Sequence, residues 1–299
     1  MPASPSQTGR FAPSPTGPLH FGSLIAALGS YAQARSTGAR WLVRIDDIDP
    51  PREMPGASDA ILRTLEAFGF EWDGLLRQSE RSERYIHALD QLEQAQRVYG
   101  CTCSRKQIAA TATRSAAGWV YPGTCRGMPT APSFAHRVVA DGNPLLFVDR
   151  VRGTQTHILS EETGDFIVRR RGGWFAYHLA CAVDDADGIG EVVRGADLLH
   201  GTAAQIYLQQ LLMLPTPVYA HLPVALGNHG NKLSKQTFAP PLRDAEPVPQ
   251  LLAAWAFLGQ APPPARPASP QDFWRNVIGT WNLAAVPRKD RQPSQPAYA

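Results

Sequence analysis

The chain has 299 residues and a formal net charge of +3, with 43% hydrophobic and 18% charged side chains. This is an ordinary globular composition, long enough for one large catalytic domain with an insertion or for two domains. No apolar run approaches the ~18–20 residues of a membrane span, and the opening MPASPSQTGR lacks the basic stretch and apolar core of a secretory leader. A cytoplasmic protein with no membrane partner is therefore expected, and its mild positive charge permits RNA binding without demanding it.

In chain order, Arg10–Ala12 predicts a short strand, and Pro13, Pro15, Gly17 and Pro18 exclude regular structure just after it. Leu24, Ala27, Leu28 and Tyr31 then recur at helical spacing, and WLVRIDD reads as an apolar strand ending in carboxylates. Strand–helix–strand with polar strand ends predicts an open α/β nucleotide-binding sheet. ASDAILRTLEAFGF and SERYIHALDQLEQAQRVY read as amphipathic helices, and 101–126 as an irregular cysteine-bearing stretch. From 134 to 183 the apolar runs PLLFVDRV, DFIVRR and WFAYHLACAV predict strands, and GTAAQIYLQQLLML predicts a helix. After Phe238 the chain is Pro-rich, with helical patches near 248–258 and 270–278 and a tail, RKDRQPSQPAYA, expected to be disordered.

Two stretches carry the strongest chemical signal, PSPTGPLHFG at 13–22 and KLSK at 232–235. A Pro/Gly-rich loop entering a helix N-terminus presents backbone N–H groups and the positive end of the helix dipole, which suits phosphate or carboxylate. His20 can donate a hydrogen bond to an anionic oxygen, and Gly22 lets a flat base approach the backbone. Only four lysines occur, and two of them, Lys232 and Lys235, share one short segment of an otherwise Arg-preferring chain. A compact ammonium on a flexible stem can neutralise charge on a transferring phosphate. Taken singly, His20 also reads as a helix-capping surface histidine, and residues 232–235 as a solvated turn. Cys101, Cys103 and Cys125 are too few and too close for a disulfide scaffold, whereas Cys181, in an apolar run, reads as a small core residue.

Together and in this order, HFGS at 20–23 and KLSKQ at 232–236 resemble the two signature motifs of class I aminoacyl-tRNA synthetases. RFAPSPTG at 10–17, RIDDIDPPRE at 44–53 and VDDADGIGEVVRGADLL at 183–199 are similar to segments of the glutamyl branch, so the resemblance spans Gly9 to Phe238. Within that branch the chain looks most like the short paralogues that lack the anticodon-binding region, since only about sixty Pro-rich residues follow the second motif. Such paralogues attach glutamate to the queuosine base of tRNA(Asp) rather than to a tRNA 3′ end.

The resemblance implies a Rossmann-like catalytic domain from 1–98 and 181–238. It also implies an inserted, zinc-bearing, tRNA-facing subdomain at 99–180 and a short helical C-terminal part at 239–299. It implies ATP-dependent, tRNA-independent activation of glutamate by a monomer, with Mg²⁺ accompanying ATP. His20, Lys232 and Lys235 would serve the phosphates and Gly22 the adenine. Arg10, Ala12, Ser14, Asp46, Tyr177 and Arg194 would form the glutamate pocket. The family pattern has Glu where this chain has Asp46, the acid expected to bind the substrate amino group, which shortens its reach by one methylene. Without the resemblance, Arg194 reads as a structural bridge to Asp197 or Glu191. Cys101, Cys103, Tyr121 and Cys125 match the paralogues' structural zinc set, with free thiols as the alternative. Two further readings are a truncated glutamyl-tRNA synthetase charging a 3′ end and a non-catalytic RNA-binding paralogue. The runs Arg150–Arg152 and Arg169–Arg171 are open to RNA phosphates or to solvent.

Overall fold

The computed structural model describes residues 8–115, 118–227 and 240–293; Lys232 and Lys235 lie outside the described residues. The first half of the fold is β1 (Gly9–Phe11), α1 (Phe21–Ser36), β2 (Trp41–Ile45), α2 (Ala57–Ala67), β3 (Leu75–Arg77) and α3 (Ser82–Gln94). There follow β4 (Val98–Cys101), α4 (Arg105–Thr111), β5 (Thr113–Ser115), β6 (Gly118–Val120), β7 (Ala135–Val138), β8 (Leu145–Asp149), β9 (Gly153–His157), α5 (Leu159–Glu162) and β10 (Phe166–Arg169). The chain returns through α6 (Tyr177–Ala186), β11 (Glu191–Gly195), α7 (Leu199–Leu211) and β12 (Val218–Leu222), then α8 (Pro247–Phe257) and α9 (Pro270–Val277).

β1, β2 and β3 pair in parallel, as do β11 and β12. The two ladders meet where the Thr8 carbonyl accepts from the Gly190 and Glu191 amides at 3.0 and 3.4 Å. Across that junction the parallel strands run β3-β2-β1-β11-β12, the crossover order of a Rossmann half, with the reversal between β1 and β11. β8 and β9 form an antiparallel hairpin whose β8 joins β12 in parallel at Asp149 and Tyr219. Residues 145–157 therefore extend the edge of the parallel sheet. Strands β10, β7 and β4 form a separate antiparallel sheet that ends at Cys101.

Sequence explains the central layer. WLVRI puts Trp41, Val43 and Ile45 into the core, fully buried, and α1 is rich in Ala and Gly, so it can press against the sheet. Gly29 marks the tightest approach, because a Cβ there would lie 2.5 Å from Leu222 Cδ1. Tyr31 of α1 stacks edge-on with Trp41 and Trp274, at 5.0 and 4.7 Å between ring centroids. Trp274 Nε1 also donates to the Phe68 carbonyl. The Pro-rich C-terminal segment thus belongs to the main core and is not an appendage.

Three sequence expectations need correction. WFAYHLACAV is not a strand: Tyr177 begins helix α6, which is buried on most sides, and a short apolar run does not distinguish buried helix from buried strand. The stretch 101–126 is not wholly irregular. It holds α4, started by a Ser104–Gln107 capping box, and the β5–β6 hairpin. The described part of the tail, residues 288–293, is held in place: Arg152 binds Asp290 and the Arg288 carbonyl, and Arg291 pairs with Ala225.

Gly29→Val should destabilise the protein by about 1–3 kcal/mol through overpacking against Leu222. Urea unfolding followed by tryptophan fluorescence measures the loss.

Candidate active site

The loop between β1 and α1 turns at Gly17, whose φ of +133° is a conformation side-chain-bearing residues avoid. It delivers His20 to the N-cap of α1 with extended backbone and no side-chain cap. A cavity of about 480 Å³ opens there, outside the carboxyl ends of β1 and β11. It brings together Arg10, Ala12, Ser14, His20, Gly22, Tyr177 and Arg194 from the sequence-derived set, with Pro223, Val224 and Ala225 on a further wall. Pro241 forms a bridge to His20, and the Leu242 amide donates to the Leu19 carbonyl. Ala225, before residues 228–239, and Pro241, after them, thus both lie at this cavity.

Asp46 is placed differently. It is absent from the cavity lining and is held by Arg44, its neighbour two residues back on the same side of the strand, at 2.7 and 3.4 Å. Burial raises the Asp46 pKa above the usual carboxylate range, and Arg44 opposes that shift. Behind the cavity this pair joins a larger ion cluster. Asp185 accepts two hydrogen bonds from Arg10, at 3.1 and 3.0 Å, and one from Arg44 at 2.7 Å. Against the cost of burial, Arg10 and then Arg44 hold Asp185 well below its ordinary value, so it is ionised. Asp184, one residue earlier, accepts from Gln78, Arg81 and Tyr85.

Arg194 differs from Arg10 and Arg44, the buried arginines of that ion cluster. It is 4% exposed, and among the described residues no carboxylate pairs with it. Nε donates to His221 Nε2 at 3.1 Å, and Nη2 donates to Thr202 Oγ1 and Gln205 Oε1, both at 2.8 Å. Nη1 faces the Tyr177 hydroxyl at 3.5 Å. The alternative bridge to Glu191 does not form, because Glu191 is taken by Arg150 and Gln33. Arg150 and Arg152 thus have structural partners, whereas Arg171 reaches the Thr102 carbonyl beside the cysteines.

The sulfurs of Cys101, Cys103 and Cys125 lie within 4.8 Å of one another. The Tyr121 hydroxyl is 3.4 Å from both Cys101 Sγ and Cys103 Sγ, and Cys103 Sγ is 3.4 Å from Cys125 Sγ. A tetrahedral zinc with Zn–S bonds of about 2.3 Å spaces its sulfurs about 3.8 Å apart, so this donor set fits such an ion with small adjustments. Burial opposes ionisation of Cys125, yet hydrogen bonds from Tyr121, the Thr102 amide and the other thiols bring its pKa to about 6. The Arg137 guanidinium lies 3.8 Å over the Tyr121 ring and offsets the negative charge gathered there.

A family model described as "tRNA synthetases class I (E and Q), catalytic domain" matches residues 7–241, and the chain belongs to that class. The glutamyl-Q tRNA(Asp) synthetase of Dechloromonas aromatica (strain RCB) is 53% identical over 288 residues, covering 94% of this chain and 96% of the relative. That of Aromatoleum aromaticum is 49% identical over 302 residues, covering 99% and 96%. The chain is a member of the glutamyl-Q tRNA(Asp) synthetase family. Among solved structures, the glutamate-tRNA synthetase of Elizabethkingia anophelis shares the fold, with a TM-score of 0.80 at 23% identity over 97% of this chain and 68% of that one.

Sequence reasoning missed Asp185, Arg44, Asp149 and His221. A signal existed for the first two: adjacent acids in the otherwise apolar HLACAVDD require buried cations, and Arg44 is a lone charge inside WLVRI.

Burial and the nearby Arg194 lower the His178 pKa to about 4, and burial lowers that of His221 to about 4 as well. The unfolded chain, with histidines near 6.5, binds these protons first, so stability is full above pH about 6.5 and falls as pH drops toward 4. His178→Gln should flatten that slope in urea titrations run at successive pH values.

Proposed function

We propose that this chain activates glutamate with ATP in the absence of tRNA and transfers it to queuosine in the anticodon of tRNA(Asp). One observation carries the reading: a buried Arg194, held by neutral partners only, faces a cavity the size of an amino acid and part of a nucleotide. Such a guanidinium lacks a counter-charge until a carboxylate arrives, and a site of this kind discriminates strongly against neutral analogues. The names of the near-full-length relatives support the queuosine acceptor.

In the first step an oxygen of the glutamate α-carboxylate attacks the α-phosphorus of ATP. The bond from that phosphorus to the bridging oxygen breaks, leaving glutamyl-adenylate and pyrophosphate. No protein nucleophile is required, so the work of the site is positioning and charge neutralisation. Arg194 and Tyr177 hold glutamate, with Arg10, Ala12 and Ser14 forming the opposite wall. Asp46 contributes through the ion cluster behind Arg10 rather than from the lining. His20 and the N-terminus of α1 meet the phosphates of the MgATP substrate, and Gly22 admits the adenine. Lys232 and Lys235 act on the same phosphates; the position of Ala225 and Pro241, on either side of them in the chain, at the cavity supports this assignment.

The Cys101, Cys103, Tyr121 and Cys125 set holds a structural zinc, leaving no open position for catalysis. The metal fastens the insertion, assigned to residues 99–180, which faces the tRNA. The monomeric state and cytoplasmic location expected from the sequence belong to the same reading.

Glutamate-dependent ATP–pyrophosphate exchange without tRNA tests the central claim. Arg194→Ala should lower kcat/KM for glutamate by about a hundredfold or more, and Lys235→Ala should abolish exchange. Labelled glutamate should attach to tRNA(Asp) only when queuosine is present, and should still attach after periodate oxidation of the 3′ end. Attachment that periodate blocks would point to a 3′-charging enzyme instead. Protein purified without chelator should contain about one zinc, and Cys103→Ser should lower that content.

A further inference from the structure

Three residues on three adjacent strands, Asp149 at the end of β8, His221 on β12 and Arg194 on β11, are joined in one buried line. Asp149 and His221 are 1% and 0% exposed. Asp149 Oδ1 accepts the backbone amides of Val151, Arg152 and His221, at 3.0, 2.7 and 3.2 Å. Asp149 Oδ2 lies 2.6 Å from His221 Nδ1. A carboxylate so supplied with donors is ionised and can only accept, so Nδ1 carries the imidazole proton. Nε2 is then an acceptor, and it meets Arg194 Nε at 3.1 Å, with Thr202 Oγ1 also 3.1 Å away. The Thr202 hydroxyl is 3.2 Å from the Leu198 carbonyl as well, and the Tyr219 ring packs under the Arg194 guanidinium at 5.4 Å.

We propose that Asp149 and His221 are positioning residues for substrate recognition, fixing the imidazole tautomer that holds Arg194 by Nε. A neutral acceptor there orients the guanidinium without neutralising it. A carboxylate in place of His221 would hold Arg194 equally well but would compete with the substrate for its charge. Interposing the ring keeps the negative charge of Asp149 one imidazole away, and Nη1 stays turned to the cavity. The low pKa of His221, a result chiefly of burial, keeps the ring neutral through the working range.

The inference rests on the glutamate-pocket reading, and the Michaelis constants of the exchange reaction test both. His221→Gln keeps a carbonyl acceptor within reach of Arg194 Nε, whereas His221→Leu removes it; both lose the link to Asp149. KM for glutamate should stay within about threefold of wild type in the Gln variant and rise about tenfold or more in the Leu variant, with KM for ATP little changed in either. Asp149→Asn adds a second test. Its carbonyl oxygen would stay with the three amides, its NH₂ would face Nδ1, and the ring would be forced to present an Nε2–H to the Arg194 N–H. KM for glutamate should rise about tenfold or more, and nitrogen NMR of the imidazole should show the proton moved to Nε2. Equal glutamate KM values in the Gln and Leu variants, or an unchanged KM in Asp149→Asn, would overturn the inference and leave the pocket reading intact. A wild type whose exchange does not saturate with glutamate would remove the pocket reading, and the inference with it. If Asp149→Asn does not fold, the Gln and Leu pair decides alone.

Discussion

Asp185 is the group on which the site depends. One carboxylate, 1% exposed, binds Arg10 from β1 and Arg44 from β2, and so ties two strands of the sheet to helix α6. Removing a partner from a buried ion pair costs about 3–5 kcal/mol, because the charge left behind has no water to turn to. The cluster is viable only because it is satisfied in detail: Asp46 takes the rest of Arg44, and Asp184 takes Arg81, Gln78 and Tyr85. Arg10 then reaches the cavity as a fixed wall, its Nε and Nη2 already committed to Asp185.

Against that background Arg194, on the cavity wall, is held in a different way. Arg10 and Arg44 are paired with carboxylates within the protein, whereas the hydrogen bonds of Arg194 go to an imidazole, a hydroxyl, an amide oxygen and a phenol. Burying a cation without a directly paired carboxylate is costly unless hydrogen bonds satisfy it, as four neutral groups do here.

The fold was largely legible because its signals are local. The Pro/Gly loop into α1, the apolar WLVRI strand and the periodic helices at 57–67 and 82–94 each announce themselves within a few residues. The cavity-lining residues were legible too, since motif order carried Arg10, His20, Tyr177 and Arg194 to one place. What failed to show was long-range pairing. Asp46 is taken up by Arg44 within the ion cluster, and the described part of the tail is held by Arg152, more than a hundred residues earlier. WFAYHLACAV misled because burial on most sides erases the periodicity that separates helix from strand. His221 carried no signal beyond being a lone histidine in the apolar PVYAHLPV, and its meaning comes from two neighbouring strands.

The cavity walls are also drawn from distant parts of the polypeptide. Arg10 is tied to Asp185, Leu19 to Leu242, and Ala225 to Arg291. Closing loops of that length sacrifices chain entropy before any contact compensates for it, so these closures come late on a folding route. Helices and hairpins can be in place while the pocket is still open. Recovery of ligand binding after dilution from denaturant is thus a stricter measure of the native state than recovery of helical signal.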